Sequence, residues 1–251
     1  MIYYDIMKTD ILGIGIDTKN RGEVLDEVIG YIKANERKCK LIATPNPEMI
    51  MLAGTDPEFA QVLNHADLVI PDGVGVVWAS KYSKIKLLET VTGCDLCFSV
   101  FDNIRGMDGA KVYILGAKPG VALLAKEKME DKYPGLNICG VRDGFFKPEE
   151  DGAIVAEINA LKPDMLLVGR GMGKQEKWIY KYKDNLDVNF AIGCGGAIDV
   201  MAGTAKRAPK IFRKLGLEWF YRLLMQPSRF FRMLVLPKFV VSVIFDKFFR
   251  K

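Results

Sequence analysis

Four short segments of this 251-residue chain combine hydroxyl, amide or acidic side chains with glycine and proline. They are Thr44-Pro45-Asn46-Pro47-Glu48, Pro71-Asp72-Gly73-Val74-Gly75, Gly169-Arg170-Gly171-Met172-Gly173-Lys174-Gln175 and Gly193-Cys194-Gly195-Gly196. Asp72 is the most pointed acid. Preceded by Pro71 and followed by Gly73 and Gly75, its carboxylate can face a cleft and act as a general base on a hydroxyl nucleophile. The competing reading makes it an Asx turn or the N-cap of a helix over 74–82. Thr44 and Asn46 offer a hydroxyl and an amide for sugar recognition, although Thr-Pro-Asn is equally plain turn chemistry. Glycines at Gly169, Gly171 and Gly173 let backbone N–H groups approach a phosphate ahead of a helix dipole. Two standard nucleotide loops are excluded. Only three residues separate Gly169 from Gly173, and Gln175 replaces the hydroxyl of a Walker A loop; Lys174 occupies the last glycine position of a dinucleotide fingerprint. Gly195 and Gly196 followed by Asp199 suggest that two strand ends together cradle a diphosphate. No Asp-x-Asp pair stands at a strand end to hold a metal, so charge neutralisation falls to backbone amides, Lys174 or basic residues nearer the C-terminus.

Each of these loops needs a strand behind it, and the sequence supplies them. Short aliphatic runs at Lys40 to Ala43, Leu68 to Ile70, Lys111 to Leu115, Asn137 to Gly140, Met165 to Val168 and Phe190 to Ile192 alternate with longer helical stretches. Val121 to Lys132, Glu149 to Leu161 and Gln175 to Tyr182 read as helices, announced by Gly116-Ala117-Lys118-Pro119-Gly120 and Lys147-Pro148-Glu149-Glu150. The alternation predicts an α/β protein with a Rossmann-like, mainly parallel sheet flanked by helices. Ligands of such sheets bind outside the carboxyl ends of the strands, where all four loops fall.

Charge divides the chain. It carries 36 Lys/Arg against 31 Asp/Glu, and twelve against two of these lie after residue 203, leaving 24 against 29 before it. We therefore expect a body over 1–203 and a basic, aromatic appendage over 204–251. Phe and Trp interleaved with Lys and Arg suit an anionic, partly apolar partner such as a membrane surface. Nucleic acid is the rival, but it leaves the strand-end loops without a role. Pro209, Pro227 and Pro237 are expected to cut the appendage into short helices, with 211–225 the best amphipathic one. Its most apolar run, 233–245, is too short to span a bilayer. The N-terminus lacks a secretory signal pattern, so a cytoplasmic location is expected. The five scattered cysteines read as reduced thiols, Cys94-x-x-Cys97 as ordinary helix residues, and the lone histidine, His65, as a helix end.

Taken in order, Ala43-Thr44-Pro45-Asn46, Pro71-Asp72-Gly73-Val74-Gly75, Lys174-Gln175-Glu176-Lys177-Trp178-Ile179, Gly195-Gly196-Ala197-Ile198-Asp199 and Lys206-Arg207-Ala208-Pro209 with Leu215-Gly216-Leu217-Glu218-Trp219 resemble the WecG/TagA/CpsF family of bacterial glycosyltransferases. The resemblance implies inverting, metal-independent and cofactor-free transfer of N-acetylmannosamine from a UDP donor to undecaprenyl-diphosphate-linked N-acetylglucosamine. It places that reaction on the inner face of the cell membrane, in the synthesis of wall teichoic acid or a related surface polymer. It makes Asp72 the base, with Thr44 and Gln175 positioning the donor sugar and phosphate. Asn46, Gly73, Gly116, Gly169, Lys174, Gly195, Gly196 and Asp199 would contact substrate, and Arg222, Arg229 and Arg232 would reach the diphosphates from a membrane-docking appendage that self-association could cover in solution. Two departures bear on the donor: Gly171-Met172-Gly173 replaces the family's Gly-Ala-Pro before Lys-Gln-Glu, and Thr90 stands where members often carry Arg. Alternatives are another donor, UDP-N-acetylmannosaminuronic acid or UDP-glucose, or a membrane-docked protein that binds nucleotide sugar without catalysis.

Overall fold

The computed structural model describes residues 7–34, 36–225, 227 and 230–249, with the side chains of Lys214 and Arg222 also outside the description. The chain opens on a hairpin, β1 (Lys8–Ile11) and β2 (Ile14–Asp17), followed by α1 (Arg21–Lys33). Then come β3 (Lys40–Ala43), α2 (Pro47–Ala53), α3 (Pro57–Asn64), β4 (Leu68–Val69), α4 (Val74–Ser80) and α5 (Gly93–Ile104). Strands β5 (Val112–Gly116), β6 (Ile138–Arg142), β7 (Met165–Gly169) and β8 (Phe190–Gly193) alternate with α6 (Val121–Lys132), α7 (Asp151–Leu161), α8 (Lys174–Tyr182) and α9 (Gly195–Met201). All six strands expected from the aliphatic runs are present, and they form one parallel sheet in the order β4-β3-β8-β7-β5-β6.

Strand period divides the core into two layers. Leu41, Ala43, Tyr113, Leu115, Leu166, Val168 and Ala191 face the layer of α2, α3, α7 and α8. Their neighbours Ile42, Val112, Ile114, Met165, Leu167, Phe190 and Ile192 face α1, α5, α6 and α9. Because β5 leads through α6 outward to β6 whereas β7 leads through α8 back to β8, right-handed crossovers leave these adjacent strands in opposite directions and on opposite faces. That reversal opens a crevice over the ends of β5 and β7.

Caps fix where helices begin beside this crevice. Asn46 Oδ1 accepts from the Met49 N–H at 2.9 Å with Pro47 in the first turn of α2, and Thr92 Oγ1 accepts from the Asp95 N–H at 3.1 Å to start α5. Asn20 and Glu23 form a reciprocal capping box at α1. The hairpin is an element the strand pattern did not announce. Its turn places Leu12 and Gly13 at φ 54° and 86°, a left-handed pair for which leucine gives no sequence signal. Asp17 accepts the Val69 N–H at 2.7 Å, so the hairpin covers the exposed edge of β4.

The C-terminal segment departs from expectation twice. The 211–225 stretch is two helices, α10 (Lys210–Lys214) and α11 (Glu218–Met225), broken at Gly216, whose φ of 70° no helix interior adopts. After α12 (Phe230–Met233), Pro237 does not break the chain. It lies in the first turn of α13 (Val235–Phe249), where its missing N–H has no intrahelical partner to lose. One stripe of α13, Phe239 and Val243, is buried in the core beside α2. The opposite stripe leaves Val241, Phe245, Phe248 and Phe249 exposed. Among the described residues no helix is long and apolar enough to cross a membrane. Phe239→Ala should cost about 3–5 kcal/mol in urea unfolding through the cavity it opens, and Val241→Ala, on the exposed stripe, well under about 1 kcal/mol.

Candidate active site

Gly116, Gly169 and Gly195 meet backbone to backbone over the crevice. A side chain on Gly116, which holds φ 144°, would collide with the Gly169 main chain, and one on Gly169 would lie 3.0 Å from the Gly195 Cα and 2.8 Å from Ile198. Gly169 carbonyl accepts from the Ala117 N–H at 2.8 Å, which locks the contact. The result is a glycine surface at the ends of β5, β7 and β8, in which Gly116 and Gly169 are themselves buried and Gly195 is half-buried. Gly196, in the first turn of α9, is exposed beside it.

Gln175 borders this surface from α8. It is buried, and its Nε2 donates to Glu176 Oε1 at 2.8 Å, while its Oε1 accepts from no group among the described residues. That oxygen lies 3.5 Å from where a Gly195 side chain would begin, so the unused acceptor is aimed at the glycine surface. Glu176 holds it there. Its carboxylate also accepts the Gly173 N–H at 2.8 Å, and Gly193 has no side chain because Glu176 and Gln175 fill that space. Burial pushes the Glu176 carboxyl above its ordinary value of 4.5, against the opposing hydrogen bonds from Gln175 and Gly173. Lys174, at the start of α8, is exposed; Lys177 is turned away to Asp56 and Glu58 at 2.8 and 2.6 Å.

A second group forms at the ends of β3 and β4. Gly73, not Asp72, precedes α4, with φ 96° and no side-chain cap, so the N-cap reading of Asp72 fails. The Asp72 backbone N–H is held by the Pro45 carbonyl at 3.1 Å, and its carboxylate receives a long hydrogen bond of 3.4 Å from the Gly93 N–H. A side chain on Gly93 would lie 3.1 Å from the Thr44 methyl, which sets the buried Thr44 against the same turn. Asn46 adjoins them, but its Oδ1 is spent on capping α2. Register joins the two groups: Ile42 and Ile192 pair across β3 and β8, so Thr44 and Cys194 lie at neighbouring strand ends.

Among the expected residues, Asp199 lies on α9 and is half-buried, with its carbonyl accepting from Ala205 N–H and Thr204 Oγ1. Arg232 reaches the body. Its Nε and Nη2 donate to Glu48 Oε2 at 3.0 and 2.8 Å, one residue beyond Pro47. Arg229 and the Arg222 side chain lie outside the described residues. Sequence reading missed Asp95, which accepts from Thr92 at 2.8 Å and pairs with Arg207; burial raises its carboxyl, but these hydrogen bonds hold it below its ordinary value. It also missed Arg21, which donates to the Thr90 carbonyl at 3.2 Å. No local pattern joins residues this far apart in sequence. Cys97 does not pair with Cys94: its buried thiol, held above its ordinary value by Cys194 and by burial, lies between α5 and the turn after β8. Among the described residues, no cluster of three His, Cys, Asp or Glu side chains could hold a metal ion.

A parallel sheet covered by helices on both faces, with an acidic loop and glycine-rich loops at its strand ends, defines an α/β protein with its ligand cleft at the carboxyl edge of the sheet. The chain belongs to the glycosyl transferase WecG/TagA/CpsF family, whose model matches residues 9–251. It is similar to the N-acetylglucosaminyldiphosphoundecaprenol N-acetyl-beta-D-mannosaminyltransferase of Bacillus spizizenii strain W23, with 37% identity over 84% of this chain and 80% of that protein. The Staphylococcus aureus MW2 protein of the same name is 33% identical over 94% of this chain and 92% of its own length.

A carboxyl whose folded pKa is raised contributes stability that is complete below its unfolded value and is lost as pH rises through the folded value. Glu176→Gln removes that loss. Urea midpoints measured from about pH 4.5 to about pH 8 should therefore fall less steeply in the variant than in the parent.

Proposed function

We propose that this protein transfers N-acetylmannosamine from its UDP donor to undecaprenyl-diphosphate-linked N-acetylglucosamine, the acceptor named for its Bacillus and Staphylococcus relatives. The observation that carries the reading is Asp72. It stands at the strand-end turn beside Thr44 and does not cap α4, and its carboxylate accepts from the Gly93 N–H; this position supports a role in the chemistry.

In this reading Asp72 removes the proton from the acceptor hydroxyl as the oxygen attacks the anomeric carbon from the face opposite UDP, which inverts that centre. Leaving UDP takes up negative charge, and backbone N–H groups at the glycine surface, Lys174 and the C-terminal arginines stabilise it without a metal. The unused Gln175 oxygen would accept a donor hydroxyl or N–H, with Thr44 fixing the sugar on the Asp72 side. Arg232, already held at Glu48, would complete the site from the C-terminal segment.

That segment would also dock the enzyme on the inner face of the membrane, where the lipid-linked acceptor lies. Its exposed Phe245, Phe248 and Phe249 and its basic side chains match the interfacial chemistry of an anionic leaflet. A second copy could cover the same stripe in solution.

With UDP-N-acetylmannosamine and a lipid-diphosphate N-acetylglucosamine analogue, Asp72→Asn should lower kcat by about 10²–10⁴ while a chelator leaves the parent unchanged. Retained turnover in the variant would remove Asp72 from the base role, and a donor panel in the same assay would expose a different sugar. For docking, truncation is the wrong test, because Phe239 and Val243 belong to the core. Replacing Phe245, Phe248 and Phe249 by serine leaves that core intact. Sedimentation with anionic vesicles should then fall by about tenfold or more; undiminished binding would sink the docking role.

A further inference from the structure

Three guanidinium groups from distant parts of the chain converge at the amino end of α5. Arg207 pairs with Asp95 Oδ1, and Arg213 Nη1 lies 3.7 Å from the same oxygen. Arg21, on the first turn of α1, donates to the Thr90 carbonyl at 3.2 Å and adds its charge to the field at Asp95. Asp95 therefore faces three cations, with Glu218 also in the field of Arg207 and Glu89 accepting the Arg21 backbone N–H at 2.9 Å, at a helix N-terminus whose N–H dipoles add positive potential. The arginines are not saturated. Arg213 Nε is buried and donates to nothing among the described residues, a vacancy that costs stability unless an acceptor arrives.

The cluster sits beside the chemistry. Gly93, two residues before Asp95, donates to Asp72 and packs on Thr44, so the cluster adjoins the Asp72 turn. The glycine surface at the ends of β5 and β7 lies across β3 and β8 from Asp72, and α5 spans the two, with Gly93 at Asp72 and Cys97 at Cys194, next to Gly195.

We infer that Arg21, Arg207 and Arg213 form a diphosphate site, held in shape by Asp95, that takes the diphosphate of the lipid-linked acceptor rather than that of the donor. This assignment rests on Asp72 receiving the acceptor hydroxyl. Asp95 keeps the cations from repelling one another before substrate binds, and the diphosphate supplies the acceptors that Arg213 and Arg21 lack.

Arg21 is the cleanest probe, because it is exposed and its side chain holds only a loop carbonyl. Full-length protein is assayed with a water-soluble, short-chain polyprenyl-diphosphate N-acetylglucosamine and no vesicles, which removes lipid headgroups as the source of any effect. Arg21→Gln should raise the acceptor KM about tenfold, with kcat and donor KM within about twofold, and Arg21→Lys should recover part of the loss. Inorganic pyrophosphate should compete with the acceptor and lose about tenfold in potency against Arg21→Gln. A rise in donor KM instead, or no change in either KM, would overturn the assignment. Arg213→Lys, which keeps the charge but removes Nε, should likewise raise only the acceptor KM. Calorimetry separates this site from the base: Asp72→Asn should bind pyrophosphate as the parent does even with turnover abolished, and equal weakening by Asp72→Asn would count against a separate arginine site.

Discussion

The backbone contact among Gly116, Gly169 and Gly195 is the constraint on which the rest of the site depends. Adjacent parallel strands are drawn together by their ladder, but their ends approach this closely only where side chains are absent. Because β5 and β7 send their helices to opposite faces, the same contact lies at the floor of the crevice. A methyl group at Gly169 would push against Ile198 and Gly195. Close packing of the strand ends thus depends on one choice of residue. Gly193 extends the logic, leaving the space in which Glu176 orients Gln175.

Burial and charge are traded against each other along the cleft. Glu176 is a buried carboxyl with good hydrogen bonds and no cation among the described residues, so it bears a desolvation cost that its hydrogen bonds only partly offset. Asp95 is the opposite case, partly buried yet surrounded by guanidinium groups. The first arrangement positions a neutral amide, and the second gathers positive charge. Both are supported by helix starts, where unsatisfied N–H groups already favour anions.

The C-terminal segment belongs to two environments at once. Phe239 and Val243 complete the core beside α2, while the aromatic side chains on the opposite stripe of α13 remain exposed. A helix with apolar residues on both stripes needs a partner on each, and the body supplies only one. Arg207 on Asp95 and Arg232 on Glu48 fasten the segment at two points of the strand-end surface.

Much of this was legible from the chain alone. Six aliphatic runs fixed the strands because parallel strands buried on both faces must be continuously apolar, and the glycine, proline and acid placement marked the strand ends. The resemblance of five separated motifs identified the family that the whole-chain match then established. Turns decided by backbone geometry were missed or misjudged: Leu12 in a left-handed hairpin position gave no signal, Gly216 breaks a plausible amphipathic helix, and Pro237 falls harmlessly in a first turn. Only the tertiary structure decided that Asp72 is not a cap, that Asn46 is one, and that Arg21, Asp95, Arg207 and Arg213 share a corner. Local sequence sets strand and helix by short-range sterics and periodicity, whereas the partners of a charged side chain depend on strand order and helix direction, which no single segment contains.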